Sequence, residues 1–194
     1  MSAVMVAPGT EDVRVLLADD SMVMPSAQPA QCADAASENA TALCVIGSST
    51  GGPAALEAIV PALSVGFAGS ILVCQHMPPG FTSSLARRLN VLSKVRVKEA
   101  LDGETLLTGQ VLIVPGGYHA RIQEDKHGVY SVRLEQSAFV HGVRPSVDVV
   151  LADAAKLFGP NLLVAILTGM GFDGAKGSLA ARRLGARVIC QDET

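Results

Sequence analysis

From Ala42 onward the chain alternates short, uninterrupted apolar runs with stretches whose apolar residues recur at helical spacing. The runs are Ala42–Gly47, Ile71–Cys74, Val111–Val114, Asn161–Leu167 and Ala186–Cys190. A strand that is apolar throughout has to be covered on both faces, which a hairpin open to water does not provide. Between the runs, Leu56, Ile59, Val60 and Leu63 fall on one helical face, as do Phe81, Leu85, Leu89 and Leu92. Val147, Val150, Leu151, Ala154 and Leu157 make a third stripe, with Pro145-Ser146 ahead of it as a start signal. A further helix over 175–184 ends at Gly185. His119–Gln123 and Val129–Leu134 alternate apolar and polar around a Lys126-His127-Gly128 turn, the pattern of a β-hairpin. The chain therefore reads as α/β: a doubly wound, mostly parallel sheet with helices on both faces and a β-hairpin insertion.

The 194 residues suffice for one such domain, and 49% apolar against 17% charged gives it a core without covalent staples. Residues 13–24 form a separate β-type run, whereas 25–41 turn to Pro, Ala, Ser and Gln without a large apolar residue, a linker composition. Five Phe, two Tyr and no Trp argue against a base-stacking surface, and a net charge of −3 against a broad hold on nucleic acid. Residues 1–86 carry one basic residue against seven acidic, and 87–194 carry fourteen against eleven, an excess that reads as a solvated face. No apolar run approaches the roughly 18 residues of a membrane span. Glu11, Asp12 and Arg14 come too early for a secretory signal. Cys32, Cys44, Cys74 and Cys190 lack CxxC spacing, and the last three sit in apolar runs, so they read as reduced core thiols of a cytoplasmic protein.

Ligands of doubly wound sheets bind at the carboxyl ends of the strands, so the turns there carry the chemistry. The first strand runs into Gly47-Ser48-Ser49-Thr50-Gly51-Gly52-Pro53 and directly into a helix. Glycines allow the tight turn, Pro suits the first helical turn, and the helix start presents free N–H groups. That loop fits a phosphate site, a serine nucleophile beside an oxyanion hole, or a plain turn; it is neither GxGxxG nor a P-loop. The second strand ends in Gln75-His76, a histidine standing where a ribose-binding carboxylate would be expected. The strand 161–167 leads into Thr168-Gly169-Met170-Gly171-Phe172-Asp173-Gly174, whose acid either orients a buried imidazole or caps the next helix. Ser, His and Asp at three strand ends favour a hydrolase. The order Ser…His…Asp without GxSxG separates it from the α/β-hydrolases.

Five ordered motifs carry a resemblance: Ile46-Gly-Ser-Ser-Thr-Gly-Gly-Pro53, Gln75-His-Met-Pro-Pro-Gly-Phe-Thr82, Val114-Pro-Gly-Gly117, Arg144-Pro-Ser-Val-Asp148 and Ile166-Leu-Thr-Gly-Met-Gly-Phe-Asp-Gly174. Together, over roughly 42–193, the chain resembles the catalytic domain of the chemotaxis protein-glutamate methylesterases, the CheB family. The resemblance implies that Ser49 is the nucleophile, His76 the general base and Asp173 the carboxylate that orients it. Ser48 stands in a place often held by Ala. Thr50 matches a neighbouring active-site hydroxyl, and Met170 a residue whose backbone N–H helps form the oxyanion hole, with Gly51 and Gly52 lining the same loop. The implied activity removes methyl groups from glutamyl methyl esters on the cytoplasmic helices of chemoreceptors, releasing methanol, and deamidates certain receptor glutamines. It implies no metal or organic cofactor, no nucleic acid and no insertion into the membrane.

Residues 13–24 resemble the first strand of a receiver domain, with Asp19-Asp20 at its acidic pair. The expected organisation is a remnant of a receiver start over 1–24, a flexible linker over 25–41 and a catalytic domain over 42–194 that lacks the family's last segment. On that reading no phosphorylation switch is expected. The competing readings are a catalytically impaired remnant that binds receptor or partner proteins, and a nucleotide-binding module, which the missing phosphate and ribose signatures disfavour.

Overall fold

The structure, a computed structural model, describes residues 4–5 and 38–192. The receiver-like run 13–24, Cys32 and the linker up to residue 37 lie outside the described residues. The strands are β1 (Val4–Met5), β2 (Leu43–Ser48), β3 (Ser70–Gln75), β4 (Arg96–Glu99), β5 (Glu104–Thr105), β6 (Gln110–Ile113), β7 (His119–Glu124), β8 (Tyr130–Glu135), β9 (Leu162–Ile166) and β10 (Arg187–Gln191). The helices are α1 (Gly52–Ile59), α2 (Phe81–Leu92), α3 (Val147–Phe158) and α4 (Ala175–Arg183).

The main sheet runs β1-β10-β9-β2-β3-β6-β4, parallel from β10 to β4 with β1 antiparallel at its edge. Every residue of β2 and β3 is buried, as the uninterrupted apolar runs require. Successive side chains leave a strand on opposite faces, and the two cores divide accordingly. Leu43 and Val45 join Leu72, Leu112, Val150 and Leu151 on the α3 face. Cys44 and Ile46 join Leu56, Ile71, Leu85 and Leu89 on the α1 and α2 face. Truncating a fully buried leucine such as Leu72 or Leu151 to Ala costs about 2–5 kcal/mol in such cores.

A small antiparallel sheet β5-β8-β7 rests on α3, where Arg121 holds Asp153 at 2.7 Å. Its β7–β8 turn is the anticipated one: Gly128 takes φ 77°, and Asp125 Oδ1 accepts the N–H groups of His127 and Val129.

Three expectations are corrected. Phe81 and Leu92, placed on an apolar helical stripe, are exposed; α2 turns Thr82, Leu85, Ala86 and Leu89 inward instead. Cys190, expected in the core, lies on an outer strand and is exposed, while Cys44 and Cys74 are buried. Strands β4 and β5 were not foreseen, because Arg96-Val-Lys-Glu99 and Glu104-Thr105 are polar edge segments with no apolar run to announce them. Ordered packing begins before Ala42: Asn39 bridges Leu107, and Ala40 is buried with its N–H on the Leu106 carbonyl at 3.0 Å.

The topology positions the site. From β2 the chain steps to β3 and β6 on one side, then returns to β9 on the other. The order reverses at β2, which opens a crevice at the carboxyl ends of β9, β2 and β3. The loops that leave those ends carry Ser49, Asp173 and His76.

Candidate active site

The β2 loop presents two serines in opposite circumstances. Ser48, the last residue of the strand, is buried, and its Oγ donates to Gln75 Oε1 at 2.7 Å. Gln75 returns its amide to the Ser49 and His76 carbonyls at 2.9 and 3.2 Å. The His76 N–H donates to the Ser48 carbonyl at 2.9 Å, so the ends of β2 and β3 are stitched together. Ser49, one residue on, is half-buried and lines the cleft.

Gly51 then turns the chain at φ 80° and caps α1, with Pro53 in its first turn. Gly52 is required for a second reason: a Cβ there would collide with Gln75 Oε1. Thr50 is exposed, and its carbonyl accepts the Thr168 hydroxyl at 3.1 Å.

The β9 loop closes against this turn. The Ser49 N–H donates to the Thr168 carbonyl at 3.0 Å, and the Thr168 N–H to Gln191 Oε1 on β10 at 3.0 Å. A Cβ on Gly169 would lie 2.7 Å from Ser49 Cβ, so only glycine lets the loop pass this close. Met170 and Phe172 project outward, 84% and 83% exposed, although Met170 also lines the cleft. The N–H groups of Thr50, Gly51 and Met170 make no hydrogen bond to other described residues.

Across the cleft, His76 Nε2 lies 2.8 Å from Asp173 Oδ2, with side chains only 14% and 4% exposed. Asp173 also accepts the Ser146 hydroxyl at 2.6 Å and the N–H groups of Val147 and Asp148 at 2.7 and 3.2 Å. Burial pushes the Asp173 carboxyl up, but the bonds from His76, Ser146, Val147 and Asp148 outweigh it and hold the group below its ordinary range. Asp173 is therefore an anion at the start of α3, where backbone N–H groups and the helix dipole favour negative charge. The helix it caps is not the one that follows it in sequence: α4 is capped by Gly174, with no side-chain bond.

An acceptor carboxylate on Nε2 requires the proton there, which leaves Nδ1 free to exchange a proton with the cleft. Beneath the pair, burial and then the Asp173 charge push the Cys74 thiol up, so it stays protonated and inert. His141, Asp148 and Asp173 bring three donor atoms within 4.8 Å. Their oxygens are already committed: Asp148 accepts the Gly177 N–H at 2.6 Å and faces His141 at 3.0 Å. The group is a hydrogen-bonded cluster around the α3 start rather than a cage for a cation.

Ser49, His76, Asp173 and Met170 thus line one cleft, with Thr50, Gly51 and Gly52 in the adjoining turn. Sequence reasoning did not find Gln75 as the partner of Ser48, Thr168 as the partner of Ser49, or the α3 start as the seat of Asp173. The one signal available was Pro145-Ser146, which marks a helix start without saying what the start faces.

Comparison with known proteins follows the same lines. A family model described as CheB methylesterase matches residues 44–194. A protein-glutamate methylesterase/protein-glutamine glutaminase of Symbiobacterium thermophilum is 47% identical over 150 residues, 77% of this chain and 40% of that protein. A similarly named protein of Cereibacter sphaeroides is 48% identical over 167 residues, 86% of this chain and 45% of its own length. The chain thus spans less than half the length of these curated relatives. The crystal structure of the Thermotoga maritima CheB methylesterase catalytic domain superposes with a TM-score of 0.74 at 45% identity, covering 76% of this chain and 77% of that one. No helix among the described residues is long and apolar enough to cross a membrane.

Proposed function

The chain belongs to the CheB methylesterase family, and from that premise we propose that it hydrolyses glutamyl methyl esters on the cytoplasmic helices of chemoreceptors, and deamidates glutamines at such sites, with Ser49, His76 and Asp173 as its catalytic residues. The observation that carries the reading is the 2.8 Å His76–Asp173 pair in the cleft that Ser49 also lines.

In this mechanism Ser49 Oγ attacks the ester carbonyl carbon while His76 Nδ1 takes its proton. Asp173 holds the imidazole in the tautomer with Nε2 protonated and balances the imidazolium that forms. The oxyanion is met by backbone N–H groups; those of Thr50, Gly51 and Met170 are the free donors in the turns that flank the serine. Each such donor is typically worth about 3–4 kcal/mol. Collapse breaks the bond to the methoxy oxygen, which takes the proton from His76 and leaves as methanol. Water then attacks the glutamyl–serine ester with His76 again as base, freeing the glutamate and restoring Ser49. For a glutamine the leaving group is ammonia, and the later step is the same.

Methanol release from methylated receptor membranes tests the proposal. This chain should release methanol, and Ser49→Ala, which leaves the fold intact, should reduce release to background. No release from the unaltered chain, folded by circular dichroism, would refute it and favour a receptor-binding role instead.

A further inference from the structure

Asp173 receives more support than is needed to face one histidine, and the support comes from an unusual use of a helix cap. Ser146 is the N-cap of α3, with extended backbone at φ −122°. A serine there normally accepts an N–H from the first turn. Here it makes no such bond. Asp173 takes the Val147 and Asp148 N–H groups instead, and the Ser146 hydroxyl becomes a donor to Asp173 Oδ1 at 2.6 Å.

Ser146 is itself fixed from behind. It is 0% exposed, and its N–H donates to Nδ1 of His119, also 0% exposed, at 3.1 Å. With Nδ1 accepting, the His119 proton sits on Nε2, which donates to the Ala138 carbonyl at 3.0 Å. A buried line therefore runs from the β7–β8 hairpin through His119 and Ser146 to Asp173 and His76.

We propose that Ser146, held by His119, is a positioning residue for the catalytic pair: its hydroxyl fixes the rotamer of Asp173 and through it the plane and tautomer of the His76 ring. The proposal rests on the esterase reading for its kinetic consequence but not for its structural one. Oδ2 is shared between the helix start and the imidazole. Rotation of the carboxylate would break one bond or the other, and Ser146 on Oδ1 opposes that rotation. A hydrogen bond to a charged group of this kind corresponds to roughly a tenfold or larger change in rate.

The test compares the unaltered chain with Ser146→Ala and Ser146→Thr, by methanol release and by the low-field proton resonance of the His76 Nε2–H. Ser146→Ala should lower kcat roughly tenfold with KM unchanged and should shift or broaden that resonance. Ser146→Thr, which keeps the hydroxyl, should recover both. A resonance that stays in place in folded Ser146→Ala overturns the proposal, whatever happens to kcat, because the cap would then be merely structural. If Ser146→Ala does not fold, His119→Phe is read instead; it removes the acceptor behind Ser146 and should move the same resonance, and an unmoved one overturns the proposal. A chain without methanol release in which Ser146→Ala still moves the resonance would sink the esterase reading and leave this one standing.

Discussion

On the α3 side of the cleft both oxygens of Asp173 are engaged, by a hydroxyl, two backbone N–H groups and the imidazole, and the carboxylate is almost fully buried. On the serine side Thr50 and Met170 are exposed, and their N–H groups point to no described partner. The difference follows from what each side must hold. A buried charge is tolerable only when it is paired and hydrogen-bonded at all times, so its partners belong to the fold. In the proposed reaction the oxyanion exists only while substrate reacts, so its donors have to be left unspent until then. One side is therefore finished by folding, and the other is finished by the substrate.

The largest effect should come from breaking the finished side. Asp173→Asn keeps the shape but presents an amide where Nε2–H needs an acceptor, and it permits the wrong imidazole tautomer. Methanol release should fall by about 10³–10⁴ in kcat with the fold retained. A fall of less than tenfold would show that the His76 ring is held by something other than Asp173.

On the open side, the close pass of the β9 loop sets the position of Ser49, the proposed nucleophile. Gly169→Ala places a methyl 2.7 Å from Ser49 Cβ, so the loop or the serine must shift. Misplacement of a reacting atom by about an ångström costs on the order of 10²-fold. Single-turnover kinetics should show slower acylation, whereas an unchanged acylation rate would mean that the loop yields instead of the serine.

How much of this was legible in the sequence also divides along the two sides. The five apolar runs marked the central strands, and three strand-end turns pointed to Ser49, His76 and Asp173, because continuous burial and glycine-rich turns are local signals. The α3 seat of Asp173 was hidden: Ser146 and Asp173 are far apart in the chain, and no spacing rule joins a helix cap to a carboxylate from another loop. For the same reason Asp173 could be weighed as the cap of α4, the helix next to it in sequence. Edge strands β4 and β5 escaped because edges are built from polar residues. Phe81 and Leu92 misled because helical periodicity locates a stripe but not which neighbour covers its ends.

The adjacent serines give a sharper contrast. Ser48→Ala leaves Gln75 Oε1 buried without its donor, which should cost about 1–3 kcal/mol in urea unfolding. Its effect on kcat should stay within a few-fold, since Gln75 keeps its bonds to the Ser49 and His76 carbonyls. Ser49→Ala should show the reverse, abolishing activity at a stability cost within about 0.5 kcal/mol. If Ser48→Ala proved as inactive as Ser49→Ala, the division between a locking serine and a reacting one would be wrong.

The smallest expected effect lies in how stability depends on pH. The Asp173 carboxyl sits below its ordinary range in the folded protein, against about 3.9 when unfolded. A group whose folded pKa is depressed adds stability that is fully present above the unfolded value and is lost as pH falls through the folded one. The unaltered chain should therefore lose stability relative to Asp173→Asn as pH is lowered from about 5 through the unfolded value and on through the lower folded one, because only the first has this carboxylate to protonate. The gap between the unaltered chain and Ser48→Ala should stay flat over the same range, since neither Ser48 nor Gln75 titrates. Parallel urea titrations at several pH values would measure both gaps. A flat Asp173→Asn gap would mean that the hydrogen bonds from the α3 start do no more than repay the burial of the charge, and the finished side of the cleft would then be held by packing rather than by that carboxylate.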